Sequence, residues 1–328
     1  MSDPLVRAAG INKDFRTGGD MFRRARIVNA LCGVDLNIRR GETVALVGES
    51  GSGKSTLGRI LLRLIDPSSG TVYFDGIDVF SLKREPLRRL RRRMQIVFQD
   101  SYGSLNPRMR IGNAVGEPME IHRMASGDAL RKRVGQLFEE VGLDPSYLNR
   151  YPHELSGGQR QRVGIARALA VSPDFVVLDE PVSALDVSVQ AQVLNLLAEL
   201  RDQRALTYLF IAHDLAVVRH LATRVVVLYR GRVMETAPVA PLYESPAHPY
   251  TTALLDAIPV PDPTVARERL ALTEGTIDDY GTAGGCVFAS RCRHPSKDDR
   301  CRIEQPTLVE LGEERTAACH YADVSTKE

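Results

Sequence analysis

Uninterrupted apolar runs recur along the chain, and most are followed by a segment with helical spacing. The runs cover residues 43–47, 94–98, 175–178, 206–212 and 224–229. A strand that is covered on both faces is apolar throughout, whereas a half-exposed strand alternates apolar and polar residues. Helices are predicted after several of these runs, the longest over residues 187–204. The pattern therefore predicts an α/β domain.

Shorter apolar segments near the N-terminus predict a second group of strands. Residues 5–6 and 31–38 are separated by a polar, basic stretch, and residues 71–74 lead into the hairpin signal Asp75-Gly76. We assign these segments to an antiparallel β subdomain. Residues 84–93 carry six arginines without interleaved aromatic residues, so a solvated helix is favoured there over a nucleic-acid patch.

The pattern changes twice further along the chain. Helices are predicted over residues 111–123 and 128–141, interrupted by prolines at 107, 118 and 145, which is typical of a helical insertion. Prolines become frequent after residue 236, where we expect linkers and a C-terminal extension on or beside the main domain. The predicted division is a core of residues 1–98 and 167–235, a helical subdomain of 99–166, and an extension of 236–328.

Composition narrows the classes of protein. The 328 residues are 43% hydrophobic and 26% charged with a net charge of +2, as in a globular protein without special attraction to nucleic acid. No apolar run is long enough for a membrane span, and the N-terminus lacks the features of a secretory signal. We therefore expect a cytosolic location. Four of the five cysteines lie near the C-terminus, which favours a metal site or reduced thiols over disulfides.

Candidate chemistry begins with a glycine-rich loop between the first long apolar run and a helix. Glycines in this setting let backbone N–H groups point at phosphate oxygens, and the following helix adds a partial positive charge. Lys54 would reach the β- and γ-phosphates, and Ser55 would ligate Mg²⁺. The pattern arises by chance in about one of a hundred chains of this length. The candidate phosphate-binding residues are Gly48, Ser50, Gly51, Ser52, Gly53, Lys54, Ser55 and Thr56.

Polar residues follow three other apolar runs. Gln99 ends one strand, Asp179 and Glu180 end another, and His213 ends a third. Asp179 is suited to hold Mg²⁺ and Glu180 to polarise an attacking water, while Gln99 and His213 are placed to touch an ion, a water or a γ-phosphate. Ser156 and two glycines precede a helix predicted from residue 160, which indicates a second anion-binding helix terminus.

Together these segments resemble the ATP-binding subunit of ABC transporters, a P-loop NTPase with a RecA-like core. The loop at 48–56 is similar to Walker A, Gln99 to the Q-loop, Asp179 to the Walker B aspartate and His213 to the switch histidine. Glu180 corresponds to the catalytic glutamate. The signature motif would be Leu155, Ser156, Gly157, Gly158 and Gln159, and the D-loop Ser183, Ala184, Leu185 and Asp186.

The resemblance implies a mechanism and partners. Two such subunits would enclose two ATP molecules head to tail, so that the signature motif of one faces Walker A of the other. Glu180 would be the general base, His213 would contact the γ-phosphate, and Gln99 would link Mg²⁺ to a helical subdomain docked on a membrane partner. Phe15 matches the aromatic residue that stacks on adenine, with Phe22 as its competitor.

The C-terminal extension narrows the resemblance to the ATPases of oligopeptide and dipeptide importers. The segment that begins His248-Pro249-Tyr250 is similar to their C-terminal element. So is the spacing of four cysteines, which in that subfamily can hold a [4Fe–4S] cluster. Zn²⁺ with His294 or His320 as further ligands, and unligated thiols, remain alternatives. The four residues are Cys286, Cys292, Cys301 and Cys319.

The implied function is ATP hydrolysis that energises peptide uptake. The subunit would sit on the cytoplasmic face of the membrane, with two permease subunits, a second ATPase that is identical or a paralogue, and indirectly a solute-binding protein. Nucleic acid is not an expected partner. Alternatives are another solute, such as a nickel chelate or glutathione, a soluble ABC-type ATPase outside transport, and a regulatory subunit that only binds nucleotide.

Overall fold

The chain builds two β-sheets. A computed structural model describes residues 3–18, 26–100, 102–258, 284–312 and 314–322. Its strands are β1 (Val6–Thr17), β2 (Arg26–Ile38), β3 (Thr43–Val47), β4 (Ser69–Phe74), β5 (Ile77–Asp78), β6 (Met94–Val97), β7 (Phe175–Asp179), β8 (Thr207–Ala212), β9 (Arg224–Tyr229), β10 (Arg232–Pro238), β11 (Val309–Gly312) and β12 (Arg315–Ala317).

The helices lie between and around these strands. They are α1 (Lys54–Leu61), α2 (Arg84–Arg93), α3 (Ile111–Ile121), α4 (Gly127–Glu140), α5 (Gly157–Leu169), α6 (Val187–Arg204), α7 (Leu215–Val218), α8 (Val239–Glu244), α9 (Pro249–Asp256) and α10 (Arg300–Ile303), with 3₁₀ turns at Pro145–Asn149 and Pro152–Glu154. No helix among the described residues is long and apolar enough to cross a bilayer.

The larger sheet has the order β11-β12-β10-β9-β3-β8-β7-β6. The five strands β9, β3, β8, β7 and β6 are parallel to one another, whereas β9 and β10, β10 and β12, and β11 and β12 pair antiparallel. Along β3, Val44 and Leu46 face one core cluster while Ala45 and Val47 face the other. Both faces are covered, which explains why this strand is apolar throughout.

The smaller sheet, β2-β1-β4-β5, is antiparallel throughout, as predicted. Strands β1 and β2 are longer than their apolar segments indicated. The reason is partial exposure: β1 alternates between buried and exposed residues and ends in an exposed stretch, so much of it is polar. The sheet packs with α1 and α2 against one face of the larger sheet.

Three boundaries differ from the sequence prediction. Pro118 does not interrupt its helix but lies inside α3, which ends three residues later. Because proline has no N–H, one backbone carbonyl in the preceding turn lacks its helical hydrogen bond. Helix α5 begins at Gly157 and not at residue 160, because Ser156 caps it. The stretch expected to be linkers after residue 236 contains α8 and α9.

The C-terminal extension joins the main sheet. Strand β10 runs past residue 236 to Pro238, and its Glu235 and Thr236 pair with Ala317 and Thr316 of β12. Arg315 of β12 is buried and donates to the backbone oxygen of Ser245 at 2.5 Å. The extension is therefore held to the core by backbone hydrogen bonds as well as by side-chain packing.

A candidate nucleotide-binding site

The loop between β3 and α1 has a conformation that requires glycine. Gly48, Gly51 and Gly53 have φ angles of 151°, 79° and 107°. A Cβ on Gly48 would lie 2.0 Å from the backbone oxygen of Leu228, and one on Gly53 would lie 2.4 Å from that of Ala30. These contacts are too short for any side chain, so only glycine fits at Gly48 and Gly53.

Lys54 is buried beneath this loop. Its Nζ donates to the backbone oxygens of Gly48 at 2.7 Å and of Glu49 at 2.9 Å. Burial lowers the pKa of Lys54, and the carboxylates of Glu180 and Asp179 oppose that shift. The Ser52 hydroxyl is buried without a hydrogen-bond partner among the described residues, as expected where a phosphate oxygen would supply one.

Ser55 and Asp179 meet at the end of the parallel strands. Ser55 Oγ, at the start of α1, donates to Asp179 Oδ1, at the end of β7, at 2.7 Å. Burial raises the pKa of Asp179, and the hydrogen bond from Ser55 works against the rise. Adjacent hydroxyl and carboxylate oxygens are ligands that Mg²⁺ prefers, so this pair fits the ion.

Two of the other predicted polar residues, Gln99 and His213, contact the carboxylate of Glu180. Gln99 Nε2 donates to Glu180 Oε2 at 2.8 Å, and His213 Nδ1 lies 3.3 Å from the same oxygen. The backbone of Glu180 is left-handed, with φ of 47°, a strained conformation that often marks a functional position. Glu180 and His213 border a cavity of about 60 Å³, large enough for a water molecule.

The predicted signature residues begin α5. Ser156 is exposed and caps the helix: its Oγ accepts from Gln159 N at 3.3 Å, and its own N–H donates to Gln159 Oε1 at 2.9 Å. Leu155 is buried below them. A Cβ on Gly158 would lie 2.5 Å from Val189 of α6. The cap therefore presents an exposed hydroxyl at a helix N-terminus that is packed against the segment after β7.

The predicted D-loop lies directly after Glu180. Ser183 Oγ donates to the Glu180 backbone oxygen at 3.1 Å, and Ala184 and Asp186 are exposed. Gln190 Nε2 donates to the backbone oxygens of Val182 at 3.1 Å and of Leu185 at 3.0 Å. Gln190 was not among the site residues predicted from sequence, because its contacts depend on how the first turn of α6 lies against the loop.

The adenine-stacking residue stays a prediction. Phe15 lies near the end of β1 with 39% of its surface exposed, and Lys13 Nζ is 5.1 Å from its ring centre. The ring is therefore accessible to a base. Its competitor, Phe22, lies outside the described residues.

The segments of two of the four cysteines in the extension are in contact. Cys286 N donates to the backbone oxygen of Cys301 at 2.9 Å. Burial raises the pKa of Cys286, and the thiolates of Cys292, Cys319 and Cys301 add to the rise. No three His, Cys, Asp or Glu side chains among the described residues adopt a metal-ligating arrangement. The metal-binding extension accordingly stays a prediction.

The two histidines proposed as alternative ligands border this cysteine group. His294 N donates to Cys292 Sγ at 3.5 Å, and the His294 ring stacks on Tyr321 at 5.5 Å. His320 Nε2 lies 3.0 Å from the backbone oxygen of Glu304. The stack joins the segment that contains Cys292 to the segment that contains Cys319.

The glycine-rich loop, the Ser55–Asp179 pair and the carboxylate at the adjoining strand end define an ATP-binding cassette. Comparisons with known proteins agree. Residues 31–183 match the ABC transporter family model, and residues 234–301 match the model described as oligopeptide/dipeptide transporter, C-terminal region. The ATP-binding cassette MJ0796, solved as a dimer with ADP and Pi, is 34% identical with a TM-score of 0.65, covering 72% of this chain and 99% of its own.

Relatives match over nearly the whole length. The Bacillus subtilis protein YkfD, named for oligopeptide transport, is 47% identical over 99% of this chain and 98% of its own. The dipeptide transport ATP-binding protein DppF of Haemophilus influenzae is 44% identical over 98% and 97%. The chain therefore belongs to the ABC transporter family, and it is an ATPase of that family.

Proposed function

We propose that this chain is the ATP-hydrolysing subunit of an ABC importer for oligopeptides or dipeptides. The observation that carries the proposal is the C-terminal match at residues 234–301, together with full-length relatives that are named for peptide transport. A nickel chelate or glutathione is the alternative cargo. The chain would be peripheral on the cytoplasmic face of the membrane, with a solute-binding protein acting indirectly and no nucleic-acid partner.

Each polar group in the site has a proposed role. Lys54 binds the β- and γ-phosphates in place of its present backbone acceptors. Ser55, Asp179 and Gln99 would hold Mg²⁺, which supplies charge neutralisation for the phosphates. Glu180 accepts a proton from the attacking water, and His213 contacts the γ-phosphate. The strained backbone of Glu180 and its two polar neighbours support this assignment, because they fix the carboxylate at the strand end.

A second ATPase subunit, identical or a paralogue, would complete the site. The exposed Ser156, at the capped N-terminus of α5, is suited to bind the γ-phosphate on Walker A of the other subunit. The dimeric state of the cassette MJ0796 supports this arrangement. Within each subunit the proposed division stays a core of 1–98 and 167–235, a helical subdomain of 99–166 and an extension of 236–328.

Two permease subunits would dock where the helical subdomain meets the core. A cleft of about 880 Å³ lies between α2 and the end of α3, and it is lined by Arg88, Arg92 and Arg123. Burial lowers the pKa of His122 in this cleft, and the charges of Arg88 and Arg92 lower it further. Five arginines and two carboxylates, Glu85 and Asp174, line the cleft, so its excess of positive charge would suit an acidic segment of a permease loop.

The cysteine group is the proposed site of a [4Fe–4S] cluster, with Zn²⁺ as the alternative metal. The chemistry of the donor set supports it, because the extension carries four thiols and thiolate is the ligand of both metals. Cys286 and Cys301 are buried and their segments are joined by a backbone hydrogen bond. A structural role fits this position, since the group closes the extension on itself.

Peptide uptake by the assembled transporter tests the proposed function. Glu180→Gln should abolish ATP-dependent uptake of a labelled dipeptide or oligopeptide while nucleotide still binds. Glu199→Gln, the same change at an exposed position of α6, is the matched control and should leave uptake intact. Uptake of nickel chelate or glutathione without peptide uptake would select the alternative cargo. Purification with ribosomes or DNA and no permease would overturn the assignment to transport.

A further inference from the structure

Glu49, the residue after Gly48 in the phosphate-binding loop, is contacted by the C-terminal extension. Its backbone N–H donates to Tyr250 Oη at 2.9 Å. Its carboxylate accepts from Arg291 Nη1 at 2.8 Å for Oε1 and 2.9 Å for Oε2. Tyr250 and Arg291 are 201 and 242 residues away along the chain. Neither was among the site residues predicted from sequence.

Tyr250 is held rigidly where it meets the loop. Its side chain is fully buried, and its ring centre lies 4.6 Å from that of Tyr229 and 5.3 Å from that of Phe288. Its backbone N–H donates to His248 Nδ1 at 2.9 Å. Burial raises the pKa of Tyr250, so the group that accepts from Glu49 is a neutral hydroxyl.

Arg291 is also fixed by aromatic rings. Its guanidinium carbon lies 5.9 Å from the ring centre of Tyr229 and 5.7 Å from that of Phe288. Burial works against its charge, but hydrogen bonds to Tyr229 and Glu49 outweigh that effect and raise the pKa of Arg291. The charged guanidinium of Arg291, packed on two aromatic rings, therefore faces the carboxylate of Glu49.

These contacts matter for nucleotide binding because Glu49 is a negative charge in a loop that binds phosphate. Without a neighbouring cation, its carboxylate would repel the phosphates of ATP. The extension contacts Glu49 at two points, since Tyr250 accepts from its backbone N–H and Arg291 donates to its carboxylate.

We propose that Arg291 and Tyr250 are positioning residues of the nucleotide site, so that the C-terminal extension completes the phosphate-binding loop. Arg291 neutralises Glu49, and Tyr250 orients its backbone N–H. The inference rests on the proposed ATP binding at this loop and adds a dependence of that binding on the extension.

Titration of the full-length chain with a fluorescent ATP analogue tests the inference. Arg291→Ala should weaken affinity about fivefold, the range of a half-exposed ion pair, and the difference should narrow as salt is raised. Glu49→Gln in the Arg291→Ala background should restore affinity, because the uncompensated charge is gone. Arg293→Ala, at an exposed neighbour, is the matched control. In the assembled transporter, Arg291→Ala should raise KM for ATP and leave kcat unchanged.

Tyr250→Phe provides a second variant, because it keeps the ring packing and removes only the acceptor for Glu49 N–H. It should weaken the analogue's affinity without lowering the melting temperature appreciably. The inference would be overturned if Arg291→Ala and Tyr250→Phe bound the analogue as tightly as Arg293→Ala does. It would also be overturned if Glu49→Gln did not restore the affinity lost in Arg291→Ala. Failure of the wild-type chain to bind the analogue at all would instead overturn the proposed function.

Discussion

The side-chain amide of Gln99 donates a 2.8 Å hydrogen bond to Glu180 Oε2. This bond joins a residue two positions after β6 to the residue that follows β7. His213, after β8, lies 3.3 Å from the same oxygen. Groups from the ends of three adjacent parallel strands therefore meet at one carboxylate. In open α/β sheets, ligands bind at this edge.

His213→Ala should lower ATP turnover of the assembled transporter about 100-fold, the lower range for loss of a group that acts in proton transfer or charge stabilisation. Nucleotide affinity should change little, since Lys54 and the loop remain. His220→Ala, at an exposed position, is the control. Turnover equal to that of this control would contradict the role given to His213.

Gly48→Ala should abolish nucleotide binding and destabilise the protein by about 3 kcal/mol or more, because the added Cβ would lie 2.0 Å from the Leu228 backbone oxygen. Thermal unfolding and analogue titration are the measurements. Gly135→Ala in α4 is the matched control. Apart from its chain neighbours and the backbone of its own helix, no described atom lies within 4 Å of the added Cβ, and the change should stabilise the helix by up to about 1 kcal/mol. Equal effects of the two changes would contradict the steric argument.

Acid should destabilise the extension through His248. Burial lowers the pKa of His248 from 6.5 to about 4, while its Nδ1 accepts from the Tyr250 N–H. His248 is therefore protonated below about pH 6.5 in the unfolded chain but only below about pH 4 in the folded chain. Stability is full above pH 6.5 and falls by about 3 kcal/mol as the pH drops through that window.

Urea unfolding at pH 7 and pH 4.5 measures this effect in His248→Asn, which keeps a capping acceptor without a titrating ring. The variant should lose less stability on acidification than the wild type. His153→Asn, at an exposed histidine, should behave like the wild type. An unchanged pH difference in His248→Asn would exclude this histidine as the cause.

Ser156→Arg should prevent ATP-induced association of the chain. In a Glu180→Gln background, ATP is expected to accumulate unhydrolysed between two subunits and to produce a dimer in size-exclusion chromatography. A bulky cation at the exposed cap of α5 should block that contact. Ser81→Arg, at an exposed position before α2, should not. A dimer that forms equally in both variants would rule out the signature motif as its interface.

Metal analysis distinguishes the readings of the cysteine group. With the proposed [4Fe–4S] cluster bound, the anaerobically purified chain should contain about four irons and show visible thiolate-to-iron absorption. Cys301→Ser should remove both signals, and Cys32→Ser, a cysteine of β2, should keep them. Stoichiometric zinc without iron would select the alternative metal. If neither iron nor zinc is found, the four cysteines are reduced thiols without a metal.

Several predictions from sequence were local and are confirmed. The bounds of β3, α2 and α6 match those predicted, and the antiparallel sheet and the ATP-binding cassette fold were expected. The less accurate bounds lie where local signals compete. Pro118 is tolerated in α3 because it sits near the helix end, and β1 was underestimated because exposed strand residues are polar.

The sequence by itself determined the chemistry of the loop, because its glycines, Lys54 and Ser55 act through spacing along one segment. It also placed polar residues at strand ends, since a buried strand is visible as an apolar run. Only the tertiary structure decided that Arg291 and Tyr250 reach Glu49, more than 200 residues away. Such a contact depends on how β12 pairs with β10 and how aromatic rings pack beneath the loop, and no local periodicity encodes that docking.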